Sequence, residues 1–222
     1  MKTYLVKTED GSNTLLVPEL KEHYHSIHGA VQESRHVFIK NGLLKLNIKN
    51  PRIFEMGFGT GLNTVLTYLE CSKFKSVVYH ALELYPLEWG KVEVLNYEEF
   101  LKLNKVQKKI FKRFHTCPWN KLVNISDGFS FIKYQNSLLY HVFEEKYNLV
   151  YFDAFAPNVQ PELWDDHIFE LIYKNIEING IMVTYCAKGE VRRCIEKAGF
   201  KVNRLPGPPG KREMLQVVKI PG

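Results

Sequence analysis

The sequence predicts an α/β fold: a mostly parallel sheet covered by helices, with an antiparallel edge strand and a small N-terminal β-rich extension. Three observations predict it. From Pro51 onward, apolar strand-like runs alternate with stretches of helical spacing, the pattern of a parallel sheet. The first of these runs, Arg52-Ile53-Phe54-Glu55-Met56, breaks into Gly57-Phe58-Gly59-Thr60-Gly61 and opens a helix. The chain closes on two β-prone runs around Pro206-Gly207-Pro208-Pro209-Gly210, which predicts a terminal strand pair with one antiparallel strand.

Taken in order, residues 1–50 form the extension and residues 51–222 the main domain. Tyr4 to Lys7 and Thr14 to Pro18 are β-prone around Asp10-Gly11-Ser12-Asn13, a hairpin signal. The segment from Tyr24 to Phe38 mixes polar and aromatic residues too densely for a plain core element. His23, His25 and His28 lack a Cys or carboxylate at metal-ligand spacing, so no metal is expected. Leu62 to Leu69 has Leu62, Val65, Leu66 and Leu69 on one helical face. Val77 to Glu83 is a buried strand, and Pro86 to Tyr97 reads as a helix with Pro86 near its first turn. Leu122 to Ser126 is the third strand, closed by Asp127-Gly128, and Tyr147 to Asp153 is the fourth. Glu162 to Ile176 is helical, Gly180 to Tyr185 a strand, and Glu190 to Ala198 a helix stopped by Gly199. Phe200 to Leu205 and Met214 to Ile220 are the last strands.

The glycine turn defines a ligand. Its glycines follow G-x-G-x-G behind Glu55, and Leu62 stands where a dinucleotide fingerprint needs its third glycine. An acid there suits a cationic amino group better than a pyrophosphate. The pattern E-x-G-x-G-x-G resembles motif I of S-adenosylmethionine-dependent methyltransferases. In a parallel sheet, ligands bind beyond the carboxyl ends of the strands. Glu55, Glu83, Asp127 and Asp153 fall at those ends in the predicted order. Glu83, 22 residues after Gly61, suits both ribose hydroxyls, Asp127 the adenine amine, and Asp153 the reacting centre. The expected cofactor-binding set is Glu55, Met56, Gly57, Gly59, Gly61, Asn63, Glu83, Asp127 and Gly128.

Composition bounds the rest. At 222 residues the chain can bury a substantial core, and 45% hydrophobic with 24% charged residues is ordinary for a globular protein. No apolar run approaches a membrane span and the N-terminus has no signal-peptide core, so a cytoplasmic protein is expected. Cys71, Cys117, Cys186 and Cys194 make no C-x-x-C pair and no disulfide framework. A net charge of +6 permits an anionic partner.

The stretch Phe152-Asp153-Ala154-Phe155-Ala156-Pro157-Asn158-Val159-Gln160-Pro161-Glu162-Leu163-Trp164 closely resembles the D-x-F-A-P-x-x-x-P-x-x-W signature of bacterial wobble-uridine tRNA methyltransferases. These correspond to the methyltransferase half of the bifunctional enzyme that makes 5-methylaminomethyl-2-thiouridine, which also occurs as a stand-alone protein. Glu55 to Asn63, Gly29 to Phe38, and Val191-Arg192-Arg193 through Lys211-Arg212-Glu213-Met214 also match, so the resemblance runs from about residue 24 to the C-terminus. Lys188 departs from the pattern, standing where a small residue is usual.

The resemblance implies a Rossmann-like, seven-stranded methyltransferase sheet and S-adenosyl-L-methionine as cofactor. It implies methyl transfer to the primary amine of 5-aminomethyl-2-thiouridine in a tRNA anticodon loop. The flavin-dependent oxidase half has no counterpart here, so no flavin is expected. A functional link to the enzymes that install the aminomethyl group follows. An alkylammonium has no lone pair, so a base must take its proton, and Asp153 is the candidate catalytic residue. Phe155 and Pro157 would shape the aperture. Tyr24, Glu33 and Arg35 are assigned to the pocket rim, and Lys211 and Arg212 to phosphates.

Two basic segments bear on the RNA. Phe100 to Lys121 has seven basic residues and no acid. Lys105, Lys108, Lys109 and Lys112 share one helix face opposite Val106, Ile110 and Phe114, which reads either as a solvated surface or as phosphate contact. Lys188 to Lys219 carries nine basic against three acidic residues and is the favoured RNA contact. Two other classes fit parts of the sequence. An aminopropyltransferase of the spermidine synthase type shares the fold and the glycine loop but needs paired acids near the fourth strand. A non-catalytic RNA-binding module leaves four strand-end acids unexplained.

Overall fold

A computed structural model describes residues 2–221. The N-terminal hairpin forms as β1 (Tyr4–Lys7) and β2 (Asn13–Val17), and β3 (Glu22–His23) adds an antiparallel third strand. The dense aromatic segment that follows is helical: α1 (Ala30–Ser34) runs on through a π-helical stretch, Arg35–Lys40. β4 (Arg52–Met56), α2 (Leu62–Glu70) and β5 (Val77–Glu83) fall where the apolar periodicity predicts them. The helix expected over Pro86 to Tyr97 is instead two single turns, α3 (Trp89–Val92) and α4 (Tyr97–Phe100). Gly90 and the β-branched Val92 and Val94 lower its helical propensity, so local packing decides. α5 (Lys105–Thr116) starts from a capping box: Asn104 accepts from Val106 N and Gln107 N, and Gln107 Oε1 accepts from Asn104 N. Ile110, Phe111 and Phe114 form its buried face, while Val106 is exposed.

One strand was not visible in the sequence. β6 (Val123–Ser126) turns at Asp127-Gly128 and pairs antiparallel with β7 (Phe129–Gln135), which lies parallel to β5. Then come β8 (Tyr147–Phe152), α6 (Asp166–Asn175), β9 (Ile176–Thr184), α7 (Gly189–Lys197), β10 (Lys201–Pro206) and β11 (Glu213–Val218). The main sheet has eight strands rather than seven, in the order β10-β11-β9-β8-β4-β5-β7-β6. β11 and β6 are its antiparallel members.

Successive strand residues face opposite sides. Leu149 and Tyr151 of β8 therefore pack with α2 and α5, among Leu62, Val65, Phe111 and Phe114. Val150 and Phe152 pack with α6 and α7, among Trp164, Phe169, Ile172 and Ile195. Leu15, Ala30, Val31, Val37, Phe38 and Leu43 of the first fifty residues share the α2-side core with Ile53. Among the described residues no helix is long and apolar enough to cross a membrane.

Candidate active site

The carboxyl ends of β4, β5 and β8 meet at one edge of the sheet. Gly57 N donates to Leu82 O (3.0 Å), and Asp153 N donates to Met56 O (3.0 Å). Gly57 takes φ +88°, and a Cβ there would run into the Asp153 carbonyl. Only glycine lets the loop lie against β8 in this way. A cavity of about 360 Å³ opens above, within the range of small-ligand sites. Met56 to Thr60 form its floor, Glu83, Leu84 and Tyr85 one wall, and Asp153 to Ala156 another. The N-terminal residues Glu22 to Ile27 and Glu33 close the top with Tyr185 and Lys211.

The N-terminal segment clamps the glycine loop. Tyr24 packs over Gly59 and meets the Phe155 ring edge-on at 5.3 Å. His25 Nε2 is hydrogen-bonded to Thr60 Oγ1 at 2.8 Å. The loop after β8 is fixed by one signature residue and two others. Trp164 Nε1 donates to Phe155 O (2.8 Å), Phe155 N donates to Gln160 Oε1 (3.1 Å), and Tyr185 OH donates to Ala154 O (2.8 Å). The tryptophan of the D-x-F-A-P motif thus acts by holding the Phe155 backbone.

Glu83 sits at the carboxyl end of β5, where Oε2 accepts from Gly59 N (2.9 Å) and Oε1 from Tyr85 N (2.8 Å). Burial raises its carboxyl above the ordinary range. Asp153 Oδ2 accepts from Asn63 Nδ2 at 2.8 Å. Burial, and then the Glu33 charge, push Asp153 up to about 7 against the opposing effect of Asn63 and Lys211. Glu33 accepts from Ser26 N (2.9 Å) and from Lys211 Nζ (2.6 Å), and that ammonium also lies 3.8 Å from the Tyr185 ring centroid.

Of the expected site residues, the cavity gathers Met56, Gly57, Gly59, Glu83, Asp153, Tyr24, Glu33, Phe155 and Lys211. The others sit elsewhere, for geometric reasons. Glu55 shares the α2-facing side of β4 with Ile53, while Met56 takes the cavity side. Glu55 is fully buried and accepts from Thr64 Oγ1 (2.9 Å) and Tyr79 OH (2.8 Å). It braces α2 and does not line the cavity. Gly61 caps α2 against His115 and Phe58, and Asn63 is buried behind Asp153.

Asp127 and Gly128 are at the wrong end of the sheet. They form the turn before β7, and Gly128 O accepts from Val77 N at the start of β5. Gln135, in register with Glu83, holds the strand-end position that Asp127 was expected to fill. Arg35 lies two residues beyond Glu33, nearly opposite around a helix, and faces a second groove with Asp10, Gln32 and Lys40. Pro157 is buried behind its loop, leaving Gln160 at the cavity. Arg212 is exposed outside the cavity. Tyr185, Tyr85, Gln160 and Glu22 belong to the lining and were missed. Tyr185 was accessible to the strand-end rule, because it directly follows β9; Glu22 carried no such signal.

Glu22, Glu33, Glu83 and Asp153 outnumber Lys211 around the cavity. That balance favours a cationic ligand and disfavours a pyrophosphate. With glycines at 57 and 59 opening the loop floor and the Glu83 carboxylate in the wall beside it, the residues present fit S-adenosyl-L-methionine. They would hold it through Glu83 and the Met56 to Thr60 backbone.

The buried titratable groups give a stability signature. Burial pushes Glu55 up to about 8, and lowers His25 and His80 to about 4 and His115 to about 3. The folded state therefore binds excess protons at the acids and fewer at the histidines. Below about pH 6.5 the two effects oppose each other. Well above the ordinary histidine value the unfolded histidines are neutral too and only the acids act, so stability should fall as pH rises towards 8, by up to about 1.4 kcal/mol per pH unit for each acid still protonated. Urea unfolding at half-unit pH intervals checks this, and Glu55→Gln should flatten the slope.

A family model described as S-adenosyl-L-methionine-dependent methyltransferase matches residues 130–220. The tRNA 5-methylaminomethyl-2-thiouridine biosynthesis bifunctional protein MnmC of Burkholderia mallei (strain NCTC 10229) is 27% identical over 235 residues. That match covers 95% of this chain and 34% of the relative, so the chain spans about a third of the curated relatives' length. The crystal structure of MNMC2 from Aquifex aeolicus superposes with a TM-score of 0.80 at 27% identity, over 99% of this chain and 71% of that one. A spermidine synthase from Thermotoga maritima aligns over 98% of this chain and 72% of that chain, with a TM-score of 0.53 and 10% identity, a likeness of fold alone. In sequence and fold the chain is thus similar to the MnmC proteins along nearly its whole length, and its C-terminal part matches the S-adenosyl-L-methionine-dependent methyltransferase model.

Proposed function

We propose that the protein methylates the primary amine of 5-aminomethyl-2-thiouridine at the wobble position of tRNA, with Asp153 as the base. The observation that carries this reading is a partly desolvated carboxylate with a raised pKa, facing the cavity from the end of β8. S-adenosyl-L-methionine, when bound, supplies an electrophilic methyl group on a sulfonium. The chain's own work is to align and deprotonate the amine. Near neutral pH about half of Asp153 is ionised, so it can take a proton from the amine as the nitrogen is alkylated. Tyr24 and Phe155 offer edge and face surfaces for one unstacked base, and an anticodon loop presents such a base without duplex opening. In this reading residues 1–50 are an extension that completes the cavity roof of a 51–222 methyltransferase domain. The enzymes that install the aminomethyl group would supply its substrate in the cytoplasm.

An aminopropyltransferase would hold a polyamine between paired acids. Glu33 does stand near Asp153, but it is bound to Lys211, so the two do not present a free acid pair to a polyamine. Incubation with tRNA lacking the final methyl group, followed by nucleoside mass spectrometry, tests the proposal. A gain of one methyl on the wobble nucleoside is expected. No gain on that tRNA, with aminopropylation of a polyamine, would overturn it.

Lys211 and Arg212 should separate in function. Arg212→Ala is expected to weaken tRNA binding and lower the log–log salt slope by roughly 0.7 for each phosphate that it ceases to neutralise. Lys211→Ala strips Glu33 of its partner beside Asp153, so its main effect should be to move the rising limb of the pH–rate profile upward. Equal salt slopes in Arg212→Ala and wild type would remove Arg212 from the RNA surface.

A further inference from the structure

Behind the cavity, between β4 and α2, lies a buried polar chain in which two acceptors are unsatisfied. Glu55 Oε2 accepts from Thr64 Oγ1 and Tyr79 OH, while its Oε1 has no partner. Asn63, in the first turn of α2, commits its Nδ2 to Asp153 Oδ2, and its Oδ1 also has no partner. Asn63 adjoins Thr64, whose hydroxyl Glu55 already holds, so the Asn63 amide lies beside the Glu55 carboxyl in the first turn of α2. Buried acceptors are rarely left unpaired, because desolvating them without a donor is costly. A single proton on Glu55 Oε1 removes both deficits at once.

We infer that Glu55 is the neutral acid in the folded protein, donating from Oε1–H to Asn63 Oδ1, and so fixes the amide whose Nδ2 holds the Asp153 carboxylate. Glu55 is then a positioning residue, and not a ligand for the cofactor's amino group. Its catalytic meaning rests on the reading of Asp153 as the base. With Glu55 ionised, the amide would turn its NH2 toward Glu55 and its carbonyl toward Asp153, setting acceptor against acceptor. The proton at the Glu55 end thus decides which carboxyl of the pair carries charge. The titratable groups facing Glu55 supply no compensating cation. Tyr79 on β5 and Tyr151 on β8 are held neutral by burial, and Asp153 is itself an acid. Burial accordingly pushes Glu55 up to about 8.

The decisive experiment reads the protein without tRNA. In 13C-glutamate-labelled protein, the Glu55 carboxyl, assigned by its loss in Glu55→Gln, should remain neutral at pH 7 and ionise only at higher pH. Calorimetry with S-adenosyl-L-methionine should give Glu55→Gln an affinity within about twofold of wild type. Asn63→Ala should raise the titration of Asp153 in 13C-aspartate-labelled protein, because it removes a donor to the ionised form. In single turnover, Glu55→Leu should be slow and Glu55→Gln should recover about tenfold, since its amide N–H can replace the lost O–H donor. A Glu55 carboxyl already ionised at pH 7 overturns the inference. So does a tenfold or greater loss of cofactor affinity in Glu55→Gln, which would mean that the charge reaches the ligand. Expected titrations in a protein that methylates no tRNA would uphold the buried proton and overturn only the assigned reaction.

Discussion

Asp153→Asn is expected to slow single-turnover methylation of the proposed tRNA substrate by roughly 10²–10⁴-fold, the usual range for loss of a positioned base. The substitution keeps the shape of the side chain and a partner for Asn63, so the loop after β8 should remain in place. The pH dependence distinguishes a lost base from a disturbed pocket. Asp153 is raised to about 7, so its ionised fraction falls as pH drops below neutral and grows as pH rises through that value. The wild-type rate should therefore climb through about pH 7 and then level off, as far as Asp153 controls it. In the variant that limb should vanish. The remaining rate should rise only with the free-amine fraction of the substrate, giving partial rescue at high pH. Rates measured from pH 6 to 9 check this, and a limb near pH 7 that survives in Asp153→Asn would assign the titration to another group.

Much of this site was legible because period-2 and period-3.6 patterns locate strand ends, and strand ends are where a parallel sheet binds ligands. Glu83 and Asp153 are placed at the cavity in that way, and the glycine loop by its torsional needs. The failures have the same origin. A strand-end acid can face either side of the sheet, and the period-2 rule applied to Ile53 and Met56 would have placed Glu55 on the α2 side. Asp127 was misplaced because β6 was read as the third parallel strand, when Asp127-Gly128 is a hairpin turn. The missed strand, Phe129–Gln135, carries Ser130, Lys133 and Gln135, which dilute its apolar signal. Lys133 is nonetheless fully buried, bonded to the His115 carbonyl and 4.4 Å from the Trp119 ring centroid. Long-range pairings such as Glu33 with Lys211, 178 residues apart, leave no local trace in a single sequence.

The correction at Asp127 and the retention of Glu83 can be tested together. Glu83→Ala should weaken S-adenosyl-L-methionine binding by about a hundredfold. Two charge-assisted hydrogen bonds to ribose, at roughly 1.5–3 kcal/mol each, are enough for that. The loss has a second source within the protein. Gly59 N and Tyr85 N both donate to the Glu83 carboxylate, so its removal frees the glycine loop and the turn after β5 together. Glu83→Gln should fall between the two, because its amide oxygen accepts one of these bonds while its NH2 faces a second donor. Asp127→Ala should bind the cofactor as wild type does, since that exposed turn lies at the amino end of β5 and β7. Calorimetric titration of the three variants at one pH provides the comparison. A loss of affinity in Asp127→Ala matching that of Glu83→Ala would return Asp127 to the adenine site and require β6 and β7 to be paired differently. An unchanged affinity in Glu83→Ala would move the ribose away from β5, leaving the backbone of Met56 to Thr60 as the main anchor.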